Sequence, residues 1–146
     1  MFDTLNQISN WTQLKVYNLL RKNILQKMDS KTIPPEKAIE MIKFSKEIVK
    51  SINNANQIDE VIKKVVENYP VLKDVSELLD EHTMKSADEF LSVFFESLME
   101  QGNLTETSEL MEKVKTIQNK EQMENFLNEL KREYASEFSS VINKIQ

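Results

Sequence analysis

One glycine, Gly102, stands in a chain of 146 residues, with three prolines and no cysteine. That scarcity constrains the fold more than any motif does. Glycine supplies the bare backbone of the loops that cradle phosphate, so neither a P-loop nor a dinucleotide-binding loop can be built, nor an ordinary EF-hand. Long stretches free of Gly and Pro favour helix, and the apolar residues recur every three or four positions almost throughout. No segment sustains the two-residue alternation of a strand. The expected class is all-α: a compact bundle of six to seven helices in one domain over residues 1–146.

The punctuation divides the chain. The first strong helix is expected over about 11–28, capped by Asn10 with Gln13 completing a capping box. Its inner face reads Trp11, Leu14, Tyr17, Leu20, Ile24, Leu25 and Met28. Pro34-Pro35 opens a second helix, since proline suits a first turn. Asn53–Asn56 reads as a loop, and a third helix runs from Gln57 to about Asn68, where Pro70 stops it. Residues 71–101 read as two helices with a break at His82-Thr83-Met84-Lys85-Ser86, one long bent helix being the alternative. Gly102 is the C-terminal stop of that region. Asn103 or Thr105 starts the next helix, and Asn119 with Gln122 starts the last, expected to run from Lys120 to Ile145. Phe90, Phe94 and Phe95 read as core.

A shift of 49 positions carries Ala38 to Ala87, Glu40 to Glu89, Asn54 to Asn103 and Val65 to Val114. It suggests two three-helix units, about 35–82 and 84–130, with an N-terminal helix added. The plainer reading is that helical hairpins of similar size share apolar phase.

Charge and chemistry exclude more than they nominate. The net charge is −5, with nine Lys/Arg against five Asp/Glu up to residue 50 and ten against nineteen beyond it. An acidic chain with seventeen Lys and two Arg is a poor nucleic-acid binder, so no nucleic-acid partner is expected. One histidine and no cysteine leave no zinc site, and neither metal nor cofactor is expected. His82 beside Asp80 and Glu81 reads as a helix-end histidine, and the many carboxylate pairs read as solvated helix faces. No catalytic residue is nominated, and no enzyme is expected. The start of the chain has neither a basic nor an apolar leader region, and the expected location is the cytoplasm.

Two surfaces remain. A last helix of that length would overhang the bundle, leaving Phe138, Val141, Ile142 and Ile145 as an apolar patch for another protein or a second copy of the chain. The first helix carries Lys15, Lys22 and Lys27 on or beside its polar face, with no acidic residue between Asp3 and Asp29. That basic amphipathic helix suggests, as the alternative to a protein-interaction module, a peripheral membrane binder.

Overall fold

A computed structural model describes residues 2–146. The chain is all-helical, 83% helix, with no strand among the described residues. Eight α-helices are described rather than six or seven: α1 Asp3–Ser9, α2 Gln13–Asp29, α3 Pro35–Ile48, α4 Ile58–Asn68, α5 Val75–Glu100, α6 Leu104–Val114, α7 Lys120–Glu133 and α8 Ala135–Ile145.

Three differences from the sequence expectations have physical causes. Asn10 ends a helix instead of starting one: it takes the left-handed conformation, φ 51°, after α1, which Asn tolerates better than most residues. Thr12 is the cap of α2, accepting from the Lys15 N–H at 3.2 Å, while the Gln13 side chain donates to the Ile52 carbonyl at 2.9 Å. Residues 82–86 do not break α5, because nothing there forbids helix. Thr83 is buried four residues before Ala87, and the Ser86 hydroxyl bonds back to the His82 carbonyl. The expected last helix is two helices, parted at Tyr134, whose backbone (φ −127°, ψ 51°) leaves the helical region.

The chain divides into two compact units. The first is Trp11–Glu81; the second joins the chain up to Asn10 with His82–Gln146. Each has its own core. In the first, Val16, Leu20 and Ile24 of α2 meet Met41 of α3, the α4 stripe Ile58, Val61, Ile62 and Val65, and Leu72, Val75 and Leu79. In the second, Leu5 and Ile8 of α1 join Phe90 and Phe94 of α5, Leu110 of α6, the α7 stripe Met123, Phe126, Leu127 and Leu130, and Phe138, Val141 and Ile142 of α8.

One set of residues and side-chain bonds occurs once in each unit, 65 residues apart. Val49, Lys50, Ile52, Asn54, Gln57 and Tyr69 recur as Val114, Lys115, Ile117, Asn119, Gln122 and Tyr134. Their bonds recur as well. Lys50 pairs with Glu47 and Lys115 with Glu112, at 3.1 and 3.0 Å. The Gln57 side chain accepts from the Asn53 N–H at 2.6 Å, and Gln122 accepts from Gln118 at 2.7 Å. Tyr69 and Tyr134 end α4 and α7, their hydroxyls donating to Glu40 at 3.3 Å and Glu106 at 3.1 Å. In both phenols burial raises the pKa above 10.0, and the neighbouring glutamate adds to the rise.

Candidate functional site

The residues expected to form an exposed apolar patch do not form one. Phe138, Val141 and Ile142 are buried in the second unit, Phe138 packing on Phe90 at 4.8 Å between ring centres, and Ile145 alone is exposed at 40%. The turn at Tyr134 is the reason: it sends α8 into the core that an unbroken helix would have overshot. The basic face is partly retained. Lys15 and Lys22 are exposed on α2, beside Arg21 and a Leu14 that is 67% exposed rather than inward. Lys27 is instead drawn into an ion pair with Asp74 at 3.0 Å.

Asp74 precedes α5, and its other oxygen accepts from the Asn23 amide at 3.4 Å. Burial alone would push this carboxyl up, but the hydrogen bonds from Lys27 and Asn23 and the Lys27 charge hold it below its ordinary 3.8. The trio is structural in its geometry, tying α2 to the turn before α5. Among the described residues no three His, Asp or Glu side chains gather as a metal site requires, and no helix is long and apolar enough to cross a membrane.

The most elaborate polar arrangement in the molecule holds α1. Glu124, on α7 and only 6% exposed, accepts from the backbone N–H groups of Thr4 at 2.7 Å and Leu5 at 2.9 Å, one on each oxygen. These donors have no partner within a short helix, so a carboxylate from another helix caps them. The Thr4 hydroxyl donates to Asn128 at 2.5 Å. At the far end the Gln146 amide donates to the Gln7 carbonyl at 3.0 Å. Lys120 lies over the Phe2 ring at 4.6 Å, and Leu5 and Ile8 insert into the core. The second unit therefore receives a seven-residue helix by apolar insertion plus side-chain caps at both ends. None of Glu124, Asn128 and Gln146 was singled out from the sequence, where a polar residue on a helix looks solvated.

Each unit also carries an open groove. In the first unit, α4 and the start of α5 enclose about 420 Å³ over an apolar floor of Ile62, Val66 and Leu79, rimmed by Asp59, Lys63, Glu67, Ser76 and Asp80. In the second, the end of α6 and the outer face of α7 enclose about 750 Å³, with Lys113, Glu129 and Arg132 beside Ile117 and Phe126. The first is the better apolar slot; the second mixes charges of both signs. The chain matches no protein-family model, no curated protein and no solved structure.

Proposed function

We propose that the protein is a non-enzymatic helical interaction module, working in the cytoplasm, that receives short helical segments of other proteins. The observation that carries this reading is the seating of α1. Two inserted apolar side chains three residues apart, with the helix ends held by polar groups, are the mechanics of helix-in-groove recognition. The recurrence at 65 residues supports two versions of one helical arrangement, each able to present such a groove.

The test is a titration of the intact, isotopically labelled chain with a panel of amphipathic helical peptides that are cationic, neutral or anionic. At least one is expected to give saturable shifts confined to groove residues. No saturable binding across the panel would sink the reading.

A second reading rests on Leu14, exposed among Lys15, Arg21 and Lys22. A basic face carrying one apolar anchor suits an anionic membrane surface. Retention on phosphatidylserine vesicles that salt abolishes would favour it, and Leu14→Gln should then weaken retention.

A further inference from the structure

We infer that the groove between α4 and the start of α5 is the first unit's counterpart of the α1 seat, and that it takes a short amphipathic helix with a Lys- or Arg-bearing last turn from another protein. The inference rests on the helix-receiving reading above and names the site and the chemistry of its guest. Along α4 and α7 the 65-residue spacing sets Asp59 against Glu124, Ile62 against Leu127 and Lys63 against Asn128. One residue is gained after the tyrosines, so Val75 stands against Val141 and Asp80 against Gln146. Glu124, Asn128 and Gln146 each hydrogen-bond α1. Their counterparts Asp59, Lys63 and Asp80 all line the open groove of about 420 Å³. In one unit the position holds a helix; in the other it is an apolar slot with a polar rim.

The differences between the two rims identify the guest. Asp59 keeps a carboxylate where Glu124 caps the α1 N-terminus, so the guest's N-terminus belongs at that end. Gln146 donates to the α1 backbone near its C-terminus, whereas a carboxylate at Asp80 can only accept. A guest that presents a donor matches that carboxylate, and a cation in the last turn also suits the helix dipole. With Asp59 and Asp80, Glu67 brings the rim to three negative charges, against the single positive Lys63. α1 carries Asp3 and no basic residue, so it does not fit this rim, which argues for a foreign helix over a second copy's α1. The apolar spacing needed is that of Leu5 and Ile8, to cover Ile62, Val66 and Leu79.

The probe is a synthetic peptide of the residue 2–10 sequence carrying Gln7→Lys and Asn10→Lys, set against the same peptide with Glu at both positions. With the intact chain, the lysine peptide is expected to shift amides within residues 59–80 saturably and to bind about tenfold more tightly than the glutamate peptide, a difference near 1.4 kcal/mol. Asp80→Lys should abolish or reverse that preference while leaving the spectrum of the free protein otherwise native. Equal binding of the two peptides, shifts confined to residues 120–146, or dilution-dependent shifts at 59–80 without peptide (the mark of a second copy) would each overturn the inference. So would silence towards the lysine peptide when another helical peptide of the panel binds elsewhere. If no peptide binds at all, the broader helix-receiving reading falls with it.

Discussion

The two units solve the same packing problem with different chemistry. Set end to end at their terminators, α2 and the second half of α5 correspond with a spacing of 71 residues: Lys31 stands against Gly102, Leu20 against Leu91, Asn23 against Phe94 and Lys27 against Leu98. Where the first unit places an amide and an ammonium that reach Asp74, the second places a ring and a leucine. The second core is correspondingly aromatic, with Phe94 within 6.5 Å of Phe90, Phe95, Tyr134 and Phe138 between ring centres. The first is built mainly from Val and Ile, with Trp11 its one buried aromatic among the described residues. Charge divides the same way. The first unit has twelve Lys/Arg against eleven Asp/Glu, leaving seven against thirteen in the rest of the chain. The two cores thus differ in side-chain chemistry although the capping bonds at their turns recur.

The largest expected effect follows from that contrast. An aromatic core concentrates its buried area in few side chains, so Phe94→Ala should cost about 3–5 kcal/mol. Val65→Ala, in the α4 stripe and equally buried, removes two carbons and should cost about 2 kcal/mol. Denaturant unfolding measures both. Equal costs would show that the two cores do not differ in the way their composition implies.

Next come the carboxylates at corresponding positions. Glu124→Ala strips two buried backbone N–H groups of their acceptor and should cost about 2–3 kcal/mol. Hydrogen exchange at Thr4 and Leu5 should accelerate with it. Asp59→Ala, on the rim of an open groove, should stay within about 0.5 kcal/mol of the parent. A large loss from Asp59→Ala would mean that this carboxylate holds the fold rather than a guest.

The terminators differ by less. Both α2 and α5 end with a 6→1 and a 5→2 hydrogen bond: Thr32 to Lys27 and Lys31 to Met28 in one, Asn103 to Leu98 and Gly102 to Met99 in the other. Both need a left-handed residue, φ 63° at Lys31 and φ 84° at Gly102. Glycine adopts that conformation freely and lysine does not. Gly102→Val should therefore destabilise by about 1–2 kcal/mol, although nothing beyond its own chain neighbours lies within 4 Å of an added Cβ. Lys31→Gly should stabilise by roughly 0.5–1 kcal/mol, strain relief exceeding the entropy glycine loses. Thermal midpoints moving the same way in both variants would refute the shared geometry.

Gly102 also marks how far the sequence could be read. Residues that act on their own neighbours were legible: Pro34-Pro35, Pro70, Gly102 and Asn119 with Gln122 each delimit a helix as local chemistry requires. The turn at Tyr134 was not, because Leu130, Tyr134, Phe138, Val141 and Ile142 keep unbroken helical phase across it. Polar residues at 82–86 suggested a break, yet Thr83 occupies a buried helical position. The α1 seat depends on side chains some 120 residues distant in sequence, which no local rule reports. The capping pairs Asn54–Gln57 and Asn119–Gln122, each followed by a tyrosine fifteen residues after the Asn, did carry the 65-residue spacing. The matches at 49 were mostly Glu, Lys and Asn, which helical hairpins of similar size share through their common Glu/Lys bias.

The smallest effect, and the one most specific to the first unit, is the pH response of Asp74. Its counterpart in α8 is Ser140, which does not titrate near neutral pH, so a carboxylate-linked change of this origin belongs to the first unit alone. Burial raises the Asp74 pKa, but Lys27 and Asn23 lower it further, leaving it below 3.8 when folded. A depressed carboxyl contributes stability that is complete above the unfolded pKa and disappears as pH falls through the folded one. Asp74→Asn keeps the shape and removes the charge. Because the Asp74 side chain is 43% exposed, solvent screening limits the loss to under about 1 kcal/mol at neutral pH. The gap between parent and variant should be constant above the unfolded pKa, then close as pH falls through the folded one, below which both side chains are neutral. High salt should narrow it at neutral pH for the same electrostatic reason. Amide exchange in α2 and at the start of α5 reads the effect locally. A gap that persists unchanged into strong acid would assign the trio's contribution to the Asn23 hydrogen bond and to packing, with no part for the Lys27 charge.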